Sequence, residues 1–185
     1  MDVMDLDLDL GDGLRLRVLV PGDAALLVEA TSAERASSLW GPRPAGPYSL
    51  GDGQEALSQW DPAAGGQFSA GIMDGAQLAG AVGLMPDRPG SIELAYWVRP
   101  ERRGQGMAAR AVRAATLWAH RTLAAPRIWL EIRPGNEPSL RVAQRAGYRF
   151  EQCLPQHCRD WSGADAEHDS WHDCLIWVHE HVSAR

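Results

Sequence analysis

The sequence predicts a mixed α/β domain in which a mostly antiparallel sheet carries helices on its faces. Three observations predict it. Short runs such as "LRLRVL", "SIELAYWV", "RIWLEI" and "SWHDCLIWVHE" have the alternation or the β-branched and aromatic content of strands. Between them lie segments with helical spacing of apolar residues. Asp74-Gly75 separates two apolar runs, a strong hairpin signal that joins neighbouring strands antiparallel. With 185 residues and 45% hydrophobic content, the chain is the size of one domain with a real core.

The elements follow in order. Leu14–Leu19 reads as a half-buried strand ended by Pro21, and Asp23 can cap a helix running through "AALLVEATSAERASSLW". The Gly- and Pro-dense "GPRPAGPYSLGDG" reads as loop, and a second helical piece lies around Glu55 to Trp60. After the hairpin, "PDRPG" turns the chain into the strand Ser91–Val98, which runs directly into the glycine-containing "RPERRGQGMA". From there Met107, Ala111, Ala115 and Trp118 form one face of a helix, with Arg110, Arg113 and Arg121 elsewhere. Arg127–Ile132 is the next strand. A loop, a short helix from about Ser139, a stop at Gly147 and a strand from Tyr148 come after it. The polar "SGADAEHD" makes an exposed tip before the last strand. One domain over 1–185 is expected, with 1–13 as a flexible acidic leader.

Charge and composition exclude several classes. A net charge of -6 opposes a non-specific grip on nucleic acid, which needs a dominant basic field. Neither a signal peptide nor an apolar stretch of membrane length is present, so a cytoplasmic protein without membrane contact is expected, as monomer or homodimer. Cys153, Cys158 and Cys174 are odd in number, and reduced thiols with no structural disulfide are the simpler expectation. His157, Cys158, His168, His172 and Cys174 lack paired Cys-x-x-Cys spacing, so no metal is expected.

Glycines between a strand and a helix let backbone approach a ligand, and the first N–H groups of a helix can bind an anion. A bare Gly-x-Gly can also merely shape the turn. No Gly-Lys-Ser/Thr follows, as a P-loop needs, and no third glycine in a parallel βαβ unit, as a dinucleotide fold needs.

Arg103, Gly106 and Ala108 match a Gln/Arg-x-x-Gly-x-Gly/Ala loop, and "NEPSLRVAQRAGYRF" matches an Asn-x-x-Ser segment with a helix ending at Gly-Tyr/Phe. By these two motifs the sequence resembles the GNAT superfamily of acyl-CoA-dependent N-acetyltransferases. "IELAYWVRPERRGQGMA" is similar to the branch that acetylates the N-termini of ribosomal proteins, the RimJ/RimL type. The resemblance runs from Leu14 to about Glu180 and is loose between Ala33 and Gly66. It implies a GNAT-type sheet with helices on both faces, whose fourth and fifth strands splay apart after a bulge. It implies acetyl-CoA as cosubstrate. Backbone of Arg103, Gly104, Gln105, Gly106, Met107 and Ala108 would wrap the pyrophosphate, with the Arg102 and Arg103 side chains near it. Pantetheine would lie along Trp97 and Val98 with Asn136 beside it, and a backbone N–H near Val98 would polarise the thioester carbonyl.

For the chemistry the resemblance offers Glu93 as base, acting through a water, and Ser139 as proton donor or hydrogen-bond partner of the CoA sulfur. The residues alone leave other roles open: Glu93 as an exposed strand carboxylate, Ser139 as a helix cap. Trp40 and Tyr48 lie where the family builds its acceptor wall. Most of the eight tryptophans fall where packing explains them. The expected acceptor is an amine, on a peptide N-terminus or a small metabolite or antibiotic. A non-catalytic acyl-CoA-binding or sensor module is the alternative from the same fold.

Overall fold

A computed structural model of the chain describes residues 6–32, 48–58, 68–160 and 170–181. The strands are β1 (Asp7–Gly11), β2 (Leu14–Val18), β3 (Phe68–Asp74), β4 (Gln77–Arg88), β5 (Ser91–Val98), β6 (Arg127–Ile132), β7 (Arg149–Asp160) and β8 (Ser170–Glu180). They form one sheet in the order β1-β2-β3-β4-β5-β6-β8-β7. Every neighbouring pair is antiparallel except β5 with β6, which is parallel. The helices are α1 (Ala24–Thr31), α2 (Leu50–Ser58), α3 (Met107–Thr122) and α4 (Glu137–Ala146). α3 and α4 pack together, with α3 over β4, β5 and β6, while α1 packs on α2 and β4. Strand alternation points Ile92, Leu94, Ile128 and Leu130 inward, and Ala111, Val112, Ala115 and Trp118 of α3 are buried in the same core. The predicted hairpin forms, Asp74 pairing with Gln77 around Gly75 at φ +58.

Three expectations need correction. The acidic leader is not wholly a leader: Asp7–Gly11 is the edge strand β1, paired with β2. Arg110 of α3 ties that hairpin down, its Nη1 donating to Asp12 Oδ2 at 2.8 Å and to the carbonyl of Leu10 at 3.3 Å. Second, α2 starts at Leu50, inside the stretch read as loop. Ser49 and Asp52 explain it, since the Asp52 N–H donates to Ser49 Oγ at 3.2 Å and Asp52 Oδ2 accepts from the Ser49 N–H at 3.0 Å. Gly53 then belongs in a helix because an added Cβ would sit 3.3 Å from the carbonyl oxygen of Ala24. Third, α4 begins at Glu137, two residues before Ser139, because Asn136 is its cap.

Candidate active site

The site is built where β5 and β6 part. The two strands pair only at Ser91 with Arg127, Ile92 with Ile128 and Glu93 with Trp129. Beyond Glu93, β5 keeps its partners on β4 through Val98 with Gly80, while β6 diverges. The expected splay is therefore present, and the β4–β5 register shifts just before it, between Pro86 and Arg88 opposite Ile92 and Ser91, with the extra residue on β4 rather than on β5. Gly80 is required underneath: a Cβ there would stand 2.3 Å from the carbonyl oxygen of Trp97. Nothing in the sequence marked it, because the need comes from a strand partner distant in the chain.

The opening widens into a cleft of about 470 Å³. Trp97, Val98, Arg103, Gly104, Gly106, Met107, Ala108, Asn136 and Ser139 all line it, so most of the predicted cofactor residues converge. Gly104 and Gly106 both have φ +77, and Gly106 is the N-cap of α3. An added Cβ at either would meet no atom within 4 Å, so these glycines serve backbone conformation and leave the space above the loop open. The first turn of α3 lines the cleft through Met107, Ala108 and Ala109, and the first N–H groups of a helix are of the kind that can meet an anion.

The side chains of the loop behave differently from its backbone. Arg103 Nε donates to the carbonyl of Val98 at 3.0 Å, bracing loop against strand. Arg102 also lines the cleft, but its guanidinium is held by Asp74 at 2.9 Å and Gln77 at 3.1 Å. Gln105 is not among the lining residues; its side chain reaches back to the carbonyl of Glu101 at 3.4 Å. Arg141 and Arg145, four apart on α4, line the cleft and were missed, although that spacing is the signal of a shared helix face.

At the inner end, Asn136 Oδ1 accepts the N–H of Ser139 at 3.2 Å. Asn136 therefore does the capping, and the Ser139 hydroxyl is not consumed by that role. Tyr96 also lines the cleft. Its hydroxyl is buried and makes no hydrogen bond of full geometry among the described residues. Burial pushes the phenol pKa up, and the neighbouring Ser139 hydroxyl draws it down by less. Tyr148, by contrast, is a core residue whose hydroxyl pairs with Thr116 Oγ1 at 2.6 Å. Burial holds its pKa far above the usual range.

Glu93 lies at the last paired position of β5 and β6. Its carboxyl pKa is raised to about 7, chiefly by burial and then by the charges of Glu131 and Asp87. It is not the solvent-exposed carboxylate that a strand residue of its type usually is. Glu131 in turn contacts His157 Nε2 at 3.1 Å, and its Oε2 lies 3.1 Å from Cys158 Sγ. Cys158 and Cys174 are joined by a disulfide, with Cα atoms 5.8 Å apart, which corrects the expectation of free thiols. The sequence spacing hid this pair because β7 carries extra residues between Leu154 and Cys158, bringing Cys158 opposite His172 on β8. Cys158, His172 and Cys174 cluster within 4.8 Å, but with both sulfurs bonded to each other only the imidazole could serve a metal. Cys153 is free and exposed. Tyr48 packs half-buried against the core beside α2 and is not among the cleft-lining residues. Trp40 lies outside the described residues.

A parallel strand pair parting beside a glycine-turned helix N-terminus is the arrangement that the resemblance to the acyl-CoA-dependent N-acetyltransferases implied. The model of the acetyltransferase (GNAT) domain matches residues 13–149, and the chain belongs to that family. It is an acyltransferase with acetyl-CoA as donor. Solved structures of like fold include ribosomal-protein-S5-alanine acetyltransferase from Vibrio fischeri, 18% identical over 95% of this chain and 97% of that one, with TM-score 0.81. Microcin C7 self immunity acetyltransferase MccE, in complex with acetyl-CoA and AMP, is 18% identical over 97% and 100% of the two chains, with TM-score 0.80. A putative ribosomal-protein-serine acetyltransferase from Vibrio cholerae is 19% identical over 98% and 100%, with TM-score 0.75. No curated protein sequence gives a significant match. Among the described residues no helix is long and apolar enough to cross a membrane.

Proposed function

We propose that the protein moves the acetyl group of acetyl-CoA directly to the α-amino group of a peptide N-terminus or to a compact amine-bearing metabolite or antibiotic, all within one domain. Glu93 carries the reading. A free α-amino group has a pKa of about 8, and a carboxylate titrating near 7 is matched to take its proton, through a water, around neutral pH. Burial achieves that match, and Glu131 and Asp87 add negative charge that favours an incoming ammonium group.

On the other side of the reacting carbon, the Gly104–Ala108 backbone holds the pyrophosphate and Trp97 and Val98 flank pantetheine. Ser139 presents its hydroxyl to the departing sulfur. Lysine amines, with a pKa of about 10.4, lie further from what Glu93 can deprotonate. Likeness in fold to ribosomal-protein and microcin acetyltransferases supports the two favoured acceptor classes. Tyr48 and Trp40 belong to the proposed acceptor wall. A thiol-release screen with acetyl-CoA against N-terminal peptides, aminoglycosides, polyamines and free amino acids tests the proposal. Turnover with an α-amine or compact amine is expected, and a clear preference for lysine-rich tails would overturn it.

A further inference from the structure

Tyr96 lines the cleft, and the acetyl-transfer reading gives it no task. Its hydroxyl is enclosed, lines the cleft, and lacks a hydrogen bond of full geometry among the described residues. Such a group is destabilising unless a bound species completes its bonding. It neighbours Ser139, whose backbone N–H is fixed by the Asn136 side chain. The serine is thus held by its main chain while its hydroxyl can rotate about one bond. A serine hydroxyl has one proton to give and two lone pairs to receive. A donor placed behind its oxygen settles which way that proton points.

We propose that Tyr96 is a positioning residue for acetyl transfer, donating its O–H to Ser139 Oγ so that the serine's own O–H is aimed at the sulfur of the thioester. The inference rests on the acetyl-transfer reading given above. In the reaction the amine nitrogen forms a bond to the acetyl carbon, and the carbon–sulfur bond breaks with its electron pair on sulfur. The amine loses one proton and the thiolate gains one, leaving an acetamide and a thiol. Neither hydroxyl has to ionise. A thiol has a pKa of about 8.5 and a phenol about 10, so an aligned O–H chain stabilises the thiolate by hydrogen bonding while the amine's proton completes the thiol through solvent. Burial keeps the phenol protonated across the working range, which suits a permanent donor. Tight alignment is expected once the thioester is seated, since such bonds are often long beforehand.

The experiment uses the full chain, CoA and acetyl-CoA. Tyr96→Phe removes one oxygen and leaves the ring packing. Expected are a kcat lowered about tenfold, an affinity for CoA within about twofold of wild type, and a pKa of the bound CoA thiol raised by about one unit, read from thiolate absorbance. Combined with Ser139→Ala, Tyr96→Phe should add nothing to the loss already caused by the serine change. Independent, multiplying losses would overturn the arrangement, as would Tyr96→Phe with an unmoved thiol pKa. Weakened CoA binding or a cooperative loss of fold in Tyr96→Phe would make the residue a packing one and equally overturn it. The thiol readout needs no acceptor. If no amine is acetylated by the wild type but the bound thiol still responds to Tyr96, the acceptor reading fails and the assignment of Tyr96 stands.

Discussion

The two sides of the proposed site are made of different material. The side proposed for CoA is backbone: Gly104 and Gly106 at φ +77, the first turn of α3, and the edge of β5 left unpaired by β6. The side proposed for the acceptor is side chain, and it lies beyond the residues that line the cleft: Glu93 with its pKa raised to about 7, Glu131, His157 and the disulfide of Cys158 with Cys174. A pyrophosphate is the same in every reaction of the family and can be met by N–H groups that every sequence possesses. An acceptor differs from enzyme to enzyme and has to be met by chosen residues. Substitutions should therefore act in opposite ways on the two sides, through shape on one and through charge on the other.

The largest effect is expected at Gly106. A bulky residue there, such as Gly106→Trp, projects into the open space above the loop and forces an unfavourable φ, a cost of about 1–2 kcal/mol to the fold. That cost is survivable, because no neighbouring atom lies within 4 Å of the new Cβ. CoA affinity measured by calorimetry should fall at least about 100-fold while the circular dichroism spectrum stays native. Retained binding would show that the loop backbone is not the pyrophosphate site.

Gly80 gives the reverse. Its backbone is ordinary in φ, yet a Cβ would collide with the carbonyl oxygen of Trp97 at 2.3 Å and with Val98 Cα at 2.9 Å. Gly80→Ala should lower stability by about 2–4 kcal/mol, seen as an earlier denaturant midpoint, before any effect on binding is reached. An unchanged midpoint would mean that β4 and β5 can separate at no cost, and the rigid floor of the cleft would be lost from the picture.

This contrast also explains what the sequence revealed. The glycine turn, the Asn-x-x-Ser segment and the alternating strands are local patterns, and each formed where it was read, from Ser91–Val98 to the last strand Ser170–Glu180. What escaped depends on partners far apart in the chain. β1 alternates acidic and apolar residues as a half-buried strand does, but it was read for its charge alone, and it is held by Arg110, about a hundred positions away. Gly80 is needed only because Trp97 lies above it. Glu93 was visible as a residue, but its burial beside Glu131 was not, and the disulfide depended on extra residues in β7. Ser139 read equally well as a cap or a donor until Asn136 was seen to fill the first role.

On the side proposed for the acceptor, Glu93→Gln separates catalysis from stability. Wild-type kcat/KM should rise with pH on a limb near 7, and the limb should vanish in the variant. The loss, about 100-fold, should be largest between about 7 and 8, where the carboxylate is ionised but an α-amine still carries its proton. Stability should move the other way. A carboxyl whose pKa is raised by folding contributes nothing adverse below its unfolded value of about 4.3, and the native state loses stability as pH rises from there through about 7. Above that, Glu93→Gln should be more stable than wild type by on the order of 1–2 kcal/mol, after allowance for partial solvent access, and equal to it near pH 4. Thermal melts at the two pH values check this, and a gain independent of pH would mean that charge burial is not its cause.

The smallest effect is expected from two cleft-lining side chains of α4, Arg141 and Arg145. Both are exposed, so each offers a phosphate of CoA a screened attraction worth about 0–1 kcal/mol. Arg141→Gln or Arg145→Gln should weaken CoA binding by only about two- to fivefold at low salt, and the difference should shrink toward nothing as ionic strength is raised, because the screening length falls to about 8 Å at 0.15 M. Four apart on one helix face they are neighbours, so a double substitution that proves additive would show that each meets phosphate independently through solvent. A loss greater than about 30-fold in either single variant, persisting at high salt, would show a desolvated, directly bonded arginine. The side proposed for CoA would then rely on a chosen side chain after all, and the division between backbone on one side and side chain on the other would have to be redrawn.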